Sequence, residues 1–377
     1  MATQHSAIVG GSTAKRVINC PGSVALCAQM PPKPSSEHAD KGTLCHNAIA
    51  DILDKNLKPT DVLGMKYKNY TMDQTLLEEK IFPALELLNQ VDPDMTMDFV
   101  VESYVNFGNF LPGVFGSADV LGKIGRKAIV LDWKFGSGVI VNAEENDQAM
   151  FYASAAMRTP EVQWVFEDID EIEVVIIQPP EIRRWTTTPA RIKEFEQDLA
   201  AAVREAEGNN PTLQHGEHCR WCAAKPICPK MTGAVDRALK LQVEKLDAAH
   251  IGGYLKNADL LEQWITDLRA LAHQAMENGK EIPGWKLVAK RGTRQWLNEQ
   301  DAIKMFNEFN IDESEAMTSK IISPAQAEKV LKKHGKELPK ELVVSISSGS
   351  TMALESDPRP KMLQIGQQLT EALSKLN

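Results

Sequence analysis

Helical and strand-like hydrophobic periods alternate along the first half of the chain. Residues 43 to 54, TLCHNAIADILD, carry apolar positions at helical spacing, with Thr43 as N-cap and with Ala50 and Leu53 following His46 along one face. Residues 75 to 90 predict a second helix. Three stretches rich in Val, Ile and Phe then predict successive strands: MDFVVESYVNF (97 to 107), VFGSADVLGKI (114 to 124) and KAIVLDWKF (127 to 135). NAEENDQAMFYASAAM (142 to 157) predicts a helix with Asn142 as N-cap and Glu145 at the capping-box position. IDEIEVVIIQP (169 to 179) predicts a further strand, ended by Pro179 and Pro180. This succession is that of an α/β core.

Past residue 230 the period is helical to about 277, and the remainder reads as a small mixed module with helices near 299 to 309 and 324 to 334. Its tail SISSGSTMALESDPRPKM (345 to 362) reads as loop from its Ser, Gly and Pro content. The expected organisation is a core over 1–230, a helical connection over 231–277 and a small module over 278–377.

The strand pair around residue 125 carries candidate chemistry. A two-residue turn at Gly125-Arg126, of the type that takes Gly first, puts Asp119 opposite Asp132. Like charges in such a cross-strand pair are destabilising, so two carboxylates there call for a cation. Oxygen ligands of this kind suit Mg²⁺ or Mn²⁺. Lys134 shares the face of Asp132 through strand alternation. A slip of one residue in register would separate the two acids. Gln148 and Tyr152 lie four apart on the following helix and so share a side. His46 alone reads more readily as a satisfied core histidine than as a ligand.

Composition narrows the classes. With 43% hydrophobic and 25% charged residues in 377, the chain is of ordinary globular composition. No apolar run approaches the roughly 20 residues of a membrane span, and the first residues lack a secretory h-region, so a cytoplasmic protein without membrane contact is expected. A net charge of -9 argues against non-specific coating of nucleic acid while allowing a local basic groove. EIRRWTTTPARIK, with Arg183, Arg184 and Trp185, PGWKLVAKRGTRQW and KVLKKHGKELPK mix basic and aromatic residues in the way that grips phosphates and stacks bases. Each reads equally as a solvated face.

Of six cysteines, Cys219, Cys222 and Cys228 fall within ten residues. In a chain without an export signal that spacing reads as metal or cluster ligation, and a fourth ligand is required. Tetrahedral Zn²⁺ completed by His215 or His218 is one solution. Cys27 and Cys45 read as small buried apolar residues.

The order GTLCH, GSAD, DWK, QAMFY resembles the RecB-type branch of the PD-(D/E)XK nuclease superfamily. With INCPGSV near the start and ESDPRP near the end, the pattern is similar over nearly the whole chain to a phage-encoded family of such nucleases. The resemblance implies a restriction-endonuclease-like core, a mixed sheet flanked by helices. It gives His46, Asp119 and Asp132 the place of metal ligands, Lys134 that of the motif lysine, and Gln148 and Tyr152 that of the downstream helix motif. Asp132 stands where many relatives have Glu. The resemblance also implies a [4Fe–4S] cluster on Cys20, Cys219, Cys222 and Cys228, DNA as substrate, and a single-strand annealing protein as partner. The implied activity is end-dependent exonuclease cleavage in phage DNA recombination, repair or replication, in the host cytoplasm. A structure-specific endonuclease, a non-catalytic binding module on the same fold and a metal-stapled structural protein are the alternatives.

Overall fold

A computed structural model describes residues 6–32, 35–136, 139–233, 248–290, 293–312, 316, 321–346, 349–354 and 359–362. They belong to two units, Met1–Trp264 and Ile265–Asn377.

In the first unit a small hairpin, β1 (Lys66–Tyr67) and β2 (Tyr70–Thr71), precedes a five-stranded sheet. Its strands are β3 (Asp98–Asn106), β4 (Phe115–Ile124), β5 (Lys127–Trp133), β6 (Glu171–Gln178) and β7 (Glu181–Thr187), adjacent in that order. Only β5 and β6 pair in parallel. A parallel pair needs a crossover, and α5 (Asp147–Ala156) lies in it.

Helices cover both faces. On one side α1 (Ala14–Asn19), α5 and α6 (Pro189–Ala206) meet Leu121, Ala128, Val130, Val174 and Ile176. On the other, α3 (Glu37–Asp54) and α4 (Phe82–Val91) meet Val120, Ile129, Leu131, Val175 and Ile177. Burial from both sides explains why β5 and β6 read as continuous apolar runs. The short α2 (Ser23–Ala28) follows α1. The α/β core with a mixed sheet flanked by helices is the architecture expected.

The β4–β5 hairpin has the predicted register, from Ile124↔Lys127 to Val120↔Leu131. Gly125 takes φ +56 at the first turn position, a conformation open to glycine at no steric cost.

Three local readings need correction. α3 starts at Glu37 with Ser36 as cap, its hydroxyl accepting the Ala39 N–H; Thr43 lies inside the helix and donates to Ala39 O. The cap of α5 is Asn146, which accepts from Ala149 N. Glu145, at φ +50, is outside the helix and holds the Arg191 guanidinium, while Asn142 supplies only a carbonyl to Asn146.

α7 (Ala248–Glu277) spans the division between the two units; in the second unit β8 (Trp285–Ala289) pairs with β11 (Ser350–Leu354) and β9 (Thr293–Trp296) with β10 (Val343–Ile346). The tail read as loop thus contributes strands. Met352 and Ala353 find partners in β8, which composition alone conceals. α8 (Glu299–Glu308) and α9 (Pro324–Lys333) occupy the predicted helical positions, and Met305, Phe306, Ala327 and Leu331 are buried together. Residues 234–247 of the expected helical stretch, and 355–358 of ESDPRP, lie outside the described residues. Among those described, no helix is long and apolar enough to cross a membrane.

Candidate functional site

The site forms where β4 and β5 part. The ladder stops at Val120↔Leu131, and the next acid on β4, Asp119, accepts the Trp133 N–H at 2.8 Å through Oδ2. A side-chain carboxylate replaces the backbone acceptor there. On the other side of β4, Val101↔Val120 and Ser103↔Ala118 pair normally, but Glu102 between them takes φ +45. That kink turns a third acid toward Asp119. α3 brings His46 over the same point, Nδ1 at 3.4 Å from Asp119 Oδ2, with its ring edge-on to Phe135.

Donor atoms of His46, Glu102 and Asp119 lie within 4.8 Å of one another. Asp132, expected as a ligand, is not in this trio, and Glu102, which was not expected, is. Glu102 is one of two acids on β3, and it falls opposite Asp119 only once the β3–β4 register is known, which the sequence pattern does not set.

Asp132 is buried, and its Oδ2 lies 2.7 Å from Lys134 Nζ, close enough for an ion pair but without hydrogen-bond alignment, so that this oxygen has no hydrogen-bond donor. Lys134 Nζ donates to Gln148 Oε1 at 3.0 Å, and Gln148 Nε2 donates to Tyr152 Oη at 2.9 Å. Tyr152 is fixed by close backbone approach: a Cβ on Gly11 would come within 2.5 Å of its ring. The structure therefore joins Asp132, Lys134, Gln148 and Tyr152 in one chain and sets His46, Asp119 and Glu102 beside it.

Electrostatics follow from this packing. Burial opposes charge on Asp119, yet the His46 imidazole and the Trp133 N–H hold its carboxyl below the usual range. Burial likewise opposes charge on His46, which Asp119 overcomes, raising the imidazole above its ordinary value. Asp132 is pushed up by burial and by the Asp119 charge, against the pull of Lys134. Glu102 is raised by desolvation and by Asp119. Burial raises the Tyr152 phenol, which keeps its proton. An imidazole, carboxylates and a buried oxygen without a donor are a donor set that fits a hard divalent cation.

Arg183, Arg184 and Trp185 lie apart from this array, on β7. Arg184 holds the buried Glu173 carboxylate, Trp185 packs on the core, and Arg183 reaches Gln178.

A second cluster gathers at the end of this unit. Cys20, Cys219, Cys222 and Cys228 line one cavity together with His215 and His218. Cys20 Sγ accepts the Gln214 N–H at 3.4 Å. The His218 ring bonds Gln214 O at 2.9 Å, and the neighbouring thiols of Cys20 and Cys219 raise it to about 10 while it lowers both thiols against the opposing effect of burial. Thiols and imidazole around one cavity fit a thiophilic metal centre. Cys45 is buried and pushed up to about 11 by that burial, as an apolar cysteine should be. Cys27 differs from its expected role: its Sγ touches that of Cys222 at 3.8 Å.

Among solved structures the chain is similar to SSO0001, at 15% identity over 57% of this chain and 95% of that one, with a TM-score of 0.23. It is also similar to the alkaline exonuclease LHK-Exo from Laribacter hongkongensis, at 11% identity over 54% and 89%, TM-score 0.26. The complex of LHK-Exo with dAMP matches at 10% identity over 52% and 90%, TM-score 0.23. Likeness at this level leaves function to the chemistry of the site. Over residues 5–360 the sequence matches one family from end to end, and the chain belongs to it: the family described as protein of unknown function, DUF2800.

Proposed function

We propose that the chain is a metal-dependent deoxyribonuclease of the RecB-type PD-(D/E)XK kind. The observation that carries this reading is the unbroken series Asp132, Lys134, Gln148, Tyr152 beside the His46, Asp119, Glu102 trio. A structural ion pair would need none of the further partners.

Asp119, His46, Glu102 and Asp132 would hold Mg²⁺ or Mn²⁺. Such a cation supplies charge neutralisation at the scissile phosphate and a lowered pKa for water. Lys134 places a positive charge where phosphate charge grows and orients the attacking water. Gln148 fixes the lysine by accepting a hydrogen bond from it, and Tyr152, kept protonated by burial, accepts one from Gln148. These two position rather than move protons. The same reading assigns a [4Fe–4S] cluster to Cys20, Cys219, Cys222 and Cys228. Four thiols that line one cavity are a ligand set suited to such a cluster. The family resemblance adds a phage recombination setting with a single-strand annealing protein.

The test is digestion by anaerobically purified protein of linear and covalently closed DNA, single- and double-stranded, with Mg²⁺ or Mn²⁺. Among the described residues no groove-reading module is seen, so binding is expected to rest on backbone contacts, with linear DNA degraded from its ends while closed circles persist. Circles cut as fast as linear duplex would replace the exonuclease reading by an endonuclease one. No cleavage of any substrate would leave the binding module and the metal-stapled structural protein.

Glu102 gives a separate prediction. Glu102→Gln should weaken Mn²⁺ binding by about 10-fold, on the scale by which one ligand alters a site. Affinity in the parent protein should rise with pH, because His46 and Asp132, both raised from their ordinary values, shed competing protons as pH increases. Calorimetric titration of Mn²⁺ measures both, and an unchanged constant in Glu102→Gln removes this residue from the site.

A further inference from the structure

Cys27 takes no part in the chemistry above, yet it has one close partner. It sits half-buried on α2, with its Sγ 3.8 Å from the Sγ of Cys222, across 195 residues of chain. Cys222 also lines the cavity with Cys20, Cys219 and Cys228, whereas Cys27 is not part of that lining. Cys222 thus stands between a metal centre inside the cavity and a thiol outside it.

We propose that Cys27 and Cys222 are a redox-sensitive pair that closes to a disulfide when the cavity holds no metal and so withdraws Cys222 from the ligand set. The coupling to metal rests on the thiolate centre proposed above; the pair itself does not. The two sulfurs are in van der Waals contact, and a bond of about 2 Å needs only a further approach of the same order, within reach of side-chain rotation. The oxidant is a small-molecule disulfide. The Cys27 thiolate attacks one of its sulfurs, forming a mixed disulfide and releasing one thiolate. The Cys222 thiolate then attacks the Cys27 sulfur, forming the protein disulfide and releasing the second. The two released thiolates take up the two protons the cysteines gave, and the two electrons lost by the cysteines reduce the oxidant. A metal on Cys222 occupies the electron pair that this second attack requires, so loading and oxidation exclude each other.

The experiment uses the full chain, metal-loaded or stripped by chelator under reducing conditions, then exposed to oxidised glutathione. Linked peptides are mapped by mass spectrometry, and iron and zinc uptake is measured afterwards. In stripped protein the Cys27–Cys222 link should be the main product and should form at least about 10-fold faster than in loaded protein. Oxidised protein should take up less than about a tenth of the metal until dithiothreitol is added, whereas oxidised Cys27→Ser should load normally. Cys27→Ser changes only sulfur to oxygen, and its thermal transition shows whether it folds.

Stripped protein in which Cys222 pairs with Cys219 or Cys228, or forms no link, overturns the proposal. So does Cys27→Ser that folds but carries no metal when reduced, because Cys27 is then itself a ligand. Parent protein that binds no metal while the link forms overturns the metal centre and the coupling together. A metal-bearing protein without the link overturns this proposal alone.

Discussion

Lys134→Ala is expected to lower the cleavage rate by about 1000-fold or more, in the range seen when a single stabiliser of transition-state charge is removed. DNA affinity should stay within about 3-fold, since a group that serves the transition state contributes little to ground-state binding. The geometry gives the reason. Lys134 Nζ is 2.7 Å from Asp132 Oδ2 and 3.0 Å from Gln148 Oε1, so its charge is held at the mouth of the acidic group rather than free to reach along the backbone. Removing it also leaves Asp132 buried without its cation. A broken buried pair costs about 3–5 kcal/mol when the remaining charge persists. Asp132 escapes part of that cost because burial already raises its pKa, and loss of Lys134 raises it further. Its neutral form then survives to higher pH, and the destabilisation is greatest above that raised value. Single-turnover cleavage with saturating enzyme, binding measured in Ca²⁺, and a thermal scan separate these effects. A variant that cuts normally sinks the site. A variant that loses its thermal transition makes Asp132 and Lys134 a structural pair.

How much of this was legible depends on how local the determining contact is. The β4–β5 register was readable because two adjacent residues, Gly125 and Arg126, set it by turn type. Lys134, Gln148 and Tyr152 were readable as candidates by alternation and helical spacing, but not their order of bonding, which depends on α5 crossing the end of β5. Glu102 was missed for a different reason. The connection between β3 and β4 is a longer loop whose length does not fix the register, and the φ of +45 that turns Glu102 toward Asp119 leaves no trace in a hydrophobic pattern. The cap of α5 was misplaced because Asn142 and Asn146 are equally good capping residues by type. Cys27 was read as apolar because a short helix gives no sign that one of its faces meets a loop almost 200 residues away. Burial patterns reveal faces; they do not reveal which distant side chain arrives there.

Cys219→Ser is expected to destabilise the first unit by about 2–4 kcal/mol, the typical worth of a covalent staple. Cys20 and Cys219 are joined through one cavity although most of the core lies between them in sequence. Tying so long a loop removes about 5 kcal/mol of chain entropy from the unfolded state in the loop-closure model. The full amount is not expected, because the ends are also held without metal. Gly22 N donates to Thr212 O at 2.9 Å, and Gln214 N reaches Cys20 Sγ. With two to four degrees of midpoint per kcal/mol in a unit of this size, the transition should fall by about 5–15 °C. Cys45→Ser is the comparison, since Cys45 is buried against the sheet away from the cavity and should lose stability without losing metal. Anaerobic calorimetry with iron, sulfide and zinc analysis of each variant reads both quantities. Cys219→Ser that retains its metal and melts within about 1 °C of the parent would show that the cavity is not a staple. The proposed nuclease site would stand regardless, because Asp119, Asp132 and Lys134 are placed by the hairpin register and not by the cysteines.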